Sequence, residues 1–312
     1  MTSSRVRTPA RRLGGVSAAL VLPALVLATL GLTACSEDDG GATASSAEAT
    51  RAADPQGPVY VALGDSYTAA PFVPTTDPND GCLRSDGNYP SLVAQALDAD
   101  LTDVSCSGAT TTSLVGVQTT MDGTNQPAQF DALGEDTELV TLSIGGNDED
   151  LFSKLLGGCV QLAMTDRSGQ PCTDATTPRE VRSTLSTIRS HVRAALEGIA
   201  GRAPNATVLS VGYPQIVPAE GSCQDLLPIA DGDLDLAREI NEGLADAVRD
   251  AADRAGVTYV DVWSLSEGHD ICADDPWIAG AQTDTSQALA FHPYAAEQEA
   301  VAEAIVSTLD AD

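Results

Sequence analysis

The run ELVTLSI at residues 138–144 sets the tightest limit on what this chain can fold into. It is nearly continuous in apolar and β-branched residues, as a strand reads when both of its faces are covered. Such a strand belongs to a parallel sheet packed between helical layers. Residues 59–63, 205–211 and 257–262 are further short strands of this kind, with helical patterns between them.

Leu92, Val93, Ala96 and Leu97 carry helical spacing over residues 89–99. Thr177-Pro178-Arg179-Glu180 opens a long helix, with Thr177 placed as the cap, Pro178 at the first helical position and Glu180 completing a capping box. Val181, Leu185, Ile188, Val192, Leu196 and Ile199 form its apolar stripe, and Gly201 and Pro204 close it. Residues 234–255, ended by Gly256, and residues 293–309 read as two more helices. No repeat or internal boundary interrupts the alternation. It predicts one α/β domain over residues 58–312, with ligands gathering at the carboxyl ends of the strands. Residues 159–176 and 220–232 read as long cysteine-bearing loops over that rim.

Residues 1–34 stand outside this pattern. Arg5, Arg7, Arg11 and Arg12, with no acid among them, precede an apolar stretch that ends in Leu32-Thr33-Ala34-Cys35. Basic, apolar and small-residue regions in that order predict a secretory signal peptide. Leu-Thr-Ala-Cys resembles the bacterial lipobox, which implies cleavage before Cys35 and a diacylglyceryl anchor on its thiol. Residues 35–57, rich in Ala, Ser, Gly and acids, predict a flexible acidic tether. Two acyl chains hold a protein to a bilayer far more firmly than one. The expected location is therefore the outer face of the cell membrane, or the medium, with the domain as a monomer.

Of the 7 cysteines, Cys35 aside, there remain Cys82, Cys106, Cys159, Cys172, Cys223 and Cys272. An even number in an exported chain predicts disulfides, although the sequence does not choose among roughly fifteen pairings. Nearest-neighbour pairs are preferred, because each closes a local loop flanked by turn residues. No Cys-x-x-Cys spacing supports a metal cluster instead. The formal net charge of −29 argues against nucleic acid or anionic lipid as a tightly held partner.

Chemistry concentrates at the strand ends. In PVYVALGDSYTAA, residues 58–70, Ser66 directly follows the first strand. Taken alone, a serine there is as readily a cap as a nucleophile. ELVTLSI runs into Gly145-Gly146-Asn147-Asp148, which presents the Asn147 amide at the same rim, and Gly108 in Ser105-Cys106-Ser107-Gly108-Ala109-Thr110 permits close backbone approach. Ser66 N–H, Gly108 N–H and the Asn147 amide together make three donors suited to an oxyanion. The chain carries neither a Gly-x-Ser-x-Gly elbow nor a dinucleotide-binding glycine array. A serine nucleophile needs a general base, and only 3 histidines exist. His191 falls inside the long helix, and His269 lies in a loop beside Cys272. His292, just before Pro293 and the last helix, is best placed to reach the rim.

Gly64-Asp65-Ser66, Gly108, Gly145-Gly146-Asn147-Asp148 and His292-Pro293 occur in the order of the four sequence blocks of the SGNH (GDSL) hydrolase family, and the chain resembles its secreted actinobacterial lipases and esterases. The resemblance implies a three-layer α/β/α sandwich with a flavodoxin-like parallel sheet, and ester hydrolysis through an acyl-serine without metal or organic cofactor. It also implies Ser66 as nucleophile, His292 as base, and Ser66, Gly108 and Asn147 as oxyanion donors. The family's three-cystine pattern supports the nearest-neighbour pairing. One position departs from the family: the aspartate usual three residues before the histidine is here Leu289. By resemblance to secreted lipases that lack the acid, the Leu289 carbonyl is expected to orient His292, with Asp284 as the alternative acid. An ester or lipid is the expected substrate. The rival readings are a polysaccharide acetyl esterase, which the 4% aromatic content disfavours, and a catalytically silent lipid-anchored binding protein.

Overall fold

The structure is a computed structural model and describes residues 57–79 and 81–311. The expected signal segment, Cys35 and all of the tether but Gly57 lie outside the described residues. In chain order the strands are β1 (Val59–Gly64), β2 (Asp100–Asp103), the short antiparallel pair β3 (Gln118–Thr119) and β4 (Asn125–Gln126), then β5 (Leu139–Ser143), β6 (Thr207–Val211) and β7 (Thr258–Val260). The α-helices are α1 (Ser66–Ala69), α2 (Tyr89–Leu97), α3 (Val160–Ala163), α4 (Pro171–Ala175), α5 (Pro178–Ala200), α6 (Leu234–Ala255), α7 (Val262–Leu265) and α8 (Ala295–Leu309). The main sheet has the order β2-β1-β5-β6-β7, with every neighbouring pair parallel.

The central strands are largely apolar because both faces of the sheet are covered, with small hydroxyl residues such as Thr141, Ser143 and Ser210 among them. Along β1, successive side chains alternate between faces. Val61 and Leu63 enter one core with Ile188, Val192 and Leu196 of α5 and Leu244 and Val248 of α6. Tyr60 and Ala62 enter the other, with Tyr89 and Val93 of α2 and Val301 and Ile305 of α8. These are the three layers expected from the sequence. At the start of α5 the capping box is complete: Glu180 N–H donates to Thr177 Oγ1 at 3.2 Å, and Thr177 N–H to Glu180 Oε2 at 2.8 Å.

Residues 159–176 correct the sequence reading, since they are largely helical rather than a plain loop. A π-helical stretch over Ser153–Cys159 runs into α3, and α4 follows. The cap of α4 comes from far along the chain: the Asp233 carboxylate accepts from Cys172 N–H at 2.9 Å and Thr173 N–H at 2.7 Å. Local spacing carries no trace of such a cap. Strand β2, sequence DLTD, also escapes the pattern, because it is a half-exposed edge whose only apolar residue is Leu101.

Disulfides join Cys82 to Cys106, Cys159 to Cys172 and Cys223 to Cys272, the nearest-neighbour set. Cys82–Cys106 ties the segment after α1 to the segment that carries Gly108, across a sequence separation of 24. In the chain-entropy account a loop of this size contributes about 3 kcal/mol. Replacing Cys82 and Cys106 together by Ala is expected to lower unfolding stability by about that amount, read as a reduced denaturant midpoint with an m-value that rises because the unfolded chain is no longer cross-linked.

Strand β1 lies between β2 and β5, so the chain leaves it in one direction and returns on its other side. The carboxyl ends of β1 and β5 therefore border the crevice where ligands bind in an open parallel sheet.

Candidate active site

Strand β1 ends at Gly64, where a Cβ would meet the Ser143 carbonyl of β5 at 2.7 Å, so only glycine fits between the two strand ends. Asp65 then caps α1, its Oδ1 accepting from Tyr67 N–H at 2.9 Å. This tight cap puts Ser66 in the first turn, where backbone N–H groups have no helical partner. Alongside, Cys106 N–H donates to the Gly64 carbonyl at 3.0 Å, which lays the segment leading to Gly108 against the end of β1. Gly108 has φ 77°, a left-handed conformation that glycine adopts without penalty. Among the described residues, neither Ser66 N–H nor Gly108 N–H donates to a protein acceptor.

Asn147 follows β5 and its side-chain Nδ2 donates to the Ala109 carbonyl at 3.0 Å. That bond uses one of the two amide hydrogens and holds the group against the Gly108–Ala109 turn. Next to it, Asp148 accepts from Thr111 N–H at 2.8 Å and Thr111 Oγ1 at 2.5 Å, tying the two loops together a second time.

His292 reaches Ser66 from the loop before α8, with Nε2 2.7 Å from Ser66 Oγ. Its Nδ1 lies 2.8 Å from the Ala290 carbonyl. A carbonyl can only accept, so Nδ1 carries the hydrogen and Nε2 turns its lone pair to the serine hydroxyl. Burial lowers the His292 pKa below its ordinary 6.5, partly offset by the Ala290 hydrogen bond, so the ring is neutral at neutral pH. A neutral ring with this tautomer is the form that can accept a proton from Ser66.

The orienting carbonyl is that of Ala290 and not, as expected, that of Leu289. The Leu289 carbonyl is occupied by the backbone N–H of His292 itself, at 3.0 Å, which closes a turn through Phe291 at φ 62°. That turn swings the imidazole back onto the carbonyl two residues upstream. A non-glycine residue at positive φ is strained and persists only where its surroundings hold it. Here the Tyr67 hydroxyl donates to the Phe291 carbonyl at 2.8 Å, and Phe291 N–H donates to the Ala279 carbonyl at 3.1 Å. The Tyr67 ring also lies 5.4 Å from the His292 ring.

Asp284 has no contact with His292 among the described residues. Its carboxylate accepts from Ser286 N–H at 2.9 Å, Ser286 Oγ at 2.6 Å and Gln287 Nε2 at 2.8 Å. The Ser286 and Gln287 donors hold its pKa below the usual carboxylate value. Asp284→Asn is therefore expected to leave kcat/KM on a soluble ester within about twofold of wild type. A loss near that of His292→Ala would instead make Asp284 the missing acid.

The other two histidines stand apart from Ser66. His191 of α5 is partly exposed, with Nδ1 3.3 Å from Asp148 Oδ2. His269 accepts no role at the serine: its Nδ1 donates to the Asp275 carbonyl at 2.8 Å and its ring stacks on Trp277 at 4.2 Å. Trp277 in turn braces the His292 loop, its carbonyl accepting from Tyr294 N–H at 2.8 Å.

Sequence reasoning missed three groups around the site: Asp65, Tyr67 and Tyr213. Asp65 is fully buried, and burial pushes its pKa up to about 7 against the pull of the Tyr213 hydroxyl and Tyr67 N–H. The Gly-Asp-Ser-Tyr stretch contains two of the three, but Tyr213 lies 148 residues from Asp65, and only the folded sheet brings them together.

A model of the GDSL-like lipase/acylhydrolase family matches residues 62–300. The chain is 41% identical over 254 residues to Lipase 2 of Streptomyces coelicolor, covering 79% of this chain and 82% of that protein. To a lipase of Streptomyces rimosus it is 28% identical over 292 residues, covering 91% of this chain and 93% of the relative. The fold superposes on the crystal structure of phospholipase A1 from Streptomyces albidoflavus NA297 with a TM-score of 0.66 and 26% identity, covering 80% of this chain and 99% of that one.

Proposed function

Since the chain belongs to the GDSL-like lipase/acylhydrolase family and is a carboxylic ester hydrolase, we propose that it works through an acyl-serine on Ser66, with His292 as its base. The observation that carries this reading is the 2.7 Å contact between Ser66 Oγ and His292 Nε2, with Nδ1 held by the Ala290 carbonyl.

In this mechanism His292 takes the Ser66 proton as Oγ attacks the ester carbonyl. The carbonyl oxygen becomes an oxyanion and accepts from Ser66 N–H, Gly108 N–H and the second amide hydrogen of Asn147. His292 then gives its proton to the departing alkoxide, leaving an acyl-Ser66. Water attacks the acyl group with His292 again as base, and the acid leaves as Ser66 regains its proton. A carbonyl fixes the imidazole tautomer but stabilises imidazolium less than a carboxylate would.

The favoured substrate is a fatty-acyl ester, because relatives named lipase and phospholipase A1 cover most of the chain. Export is supported by the three disulfides and by the signal-like composition of residues 1–34. Anchoring through lipidated Cys35 rests on the Leu-Thr-Ala-Cys sequence, and the domain is taken to act as a monomer. Turnover of p-nitrophenyl esters of increasing acyl length tests the substrate assignment. A kcat/KM that rises beyond acetyl supports acyl esters, whereas activity confined to acetyl esters would favour polysaccharide deacetylation.

A further inference from the structure

Behind the site, away from Ser66 Oγ, a buried tyrosine joins the nucleophile segment to the Asn147 segment. Tyr213, two residues beyond β6 and 0% exposed, donates its hydroxyl hydrogen to Asp65 Oδ2 at 2.5 Å. The Tyr213 hydroxyl oxygen in turn accepts from Gly146 N–H at 2.9 Å. Asp65 immediately precedes Ser66, and Gly146 immediately precedes Asn147. We propose that Tyr213 is a positioning residue for the ester hydrolysis: its hydroxyl clamps Asp65 to Gly146 and so sets the spacing between the Ser66 nucleophile and the Asn147 oxyanion donor. The proposal rests on the roles given to Ser66 and Asn147 above.

The hydrogen-bond inventory supports the clamp. Gly146 N–H is a buried backbone donor and requires an acceptor. Asp65 Oδ1 accepts from Tyr67 N–H and Oδ2 from the Tyr213 hydroxyl, so both carboxylate oxygens face donors. An ionised carboxylate satisfies both donors, since each of its oxygens accepts. Gly146 is held from its other side as well, where a Cβ would run into the Phe152 ring. Removing the tyrosine hydroxyl would leave Gly146 N–H and Asp65 Oδ2 both without that partner in a buried space. The disturbance would fall on the residues next to the two groups that handle the substrate. The ring alone makes the packing contacts, meeting Tyr67 at 5.3 Å and Phe152 at 5.5 Å between centroids, and phenylalanine would preserve them.

The titratable groups facing Asp65 are Tyr213, Tyr67, Tyr89 and Asp148. Burial raises the pKa of all three phenols, so they stay neutral, and Asp148 acts to raise that of Asp65. The Tyr213 hydroxyl pulls in the opposite direction. Without it, the pH at which Asp65 becomes ionised moves upward from about 7.

The test compares wild type with Tyr213→Phe on p-nitrophenyl butyrate across the acid and neutral range. The expected result is a kcat lowered between about tenfold and about a hundredfold, KM within about twofold, and an acid limb of kcat displaced to higher pH. A wild-type kcat with an unmoved acid limb overturns the proposal, as does a raised KM at unchanged kcat. Should Tyr213→Phe fail to fold, Asp65→Asn approaches the clamp from its other end. It keeps an acceptor for Tyr67 N–H and removes the titrating charge, so kcat falls in the same range and the Asp65 limb disappears. A wild-type limb in that variant overturns the clamp. Ser66→Ala distinguishes the two levels of the account: an active Ser66→Ala enzyme overturns both. An inactive one beside an unimpaired Tyr213→Phe enzyme overturns the clamp alone.

Discussion

Ser66→Ala is expected to lower kcat/KM on a short p-nitrophenyl ester by a factor on the order of 10⁴ to 10⁶, and His292→Ala by a similar factor. The size follows from what each variant removes. Without Ser66 Oγ no acyl-enzyme forms. Without His292 the hydroxyl keeps its proton, because no other base contacts it among the described residues. The two groups act as one unit through a single 2.7 Å contact, so their losses should not add. The double variant is therefore expected to be no slower than either single variant by more than a few fold, the residual rate coming from the oxyanion donors. Steady-state kinetics on the three proteins, with circular dichroism to establish folding, provide the check. Additive losses would mean that serine and histidine serve different steps.

Asn147→Ala carries the second large effect, a fall in kcat of about 10² to 10³ with KM changed little. A donor that strengthens its bond as the carbonyl oxygen gains charge stabilises the transition state more than the bound substrate. The fall corresponds to about 2.7–4 kcal/mol of lost transition-state stabilisation. The variant also loses the bond from Nδ2 to the Ala109 carbonyl, which contributes about 1 kcal/mol to stability. Urea denaturation measures that part separately. A variant that lost only stability and kept its kcat would assign Asn147 to tethering the Gly108–Ala109 turn rather than to the oxyanion.

The principal residues of this site were legible in the sequence because each sits beside a strong local signal. Ser66 and Asn147 follow apolar runs that read as covered strands, and His292 precedes a proline and a helix. Parallel strands bring their carboxyl ends to one rim, so positions far apart in the chain share a location once the alternation is recognised. The limits were equally physical. Ala290 rather than Leu289 orients the imidazole because Phe291 takes a left-handed conformation, and nothing in Leu-Ala-Phe-His announces it. The Tyr213–Asp65 bond and the Asp233 cap on α4 are tertiary contacts with no sequence periodicity. Strand β2 was hidden because an edge strand flanked by acids lacks the apolar density that marked its neighbours.

The same geometry accounts for the absent carboxylate before His292. The His292 loop is braced by main-chain bonds to Ala279, Trp277 and Pro71, and by the Tyr67 hydroxyl on Phe291. In many serine hydrolases an acid both orients the histidine and stabilises its charged form. Here orientation comes from the Ala290 carbonyl and the braced turn, while the charged form lacks a nearby acid partner among the described residues.

The central claim is that Ser66, activated by His292, carries the acyl group, and covalent labelling tests it most directly. The protein is treated with a fluorophosphonate, and the adduct is mapped by peptide mass spectrometry. The account predicts one adduct per chain, on the peptide containing Ser66, with esterase activity lost in proportion and labelling strongly slowed in His292→Ala. An adduct on another residue, or full turnover after Ser66 has been labelled, would contradict it.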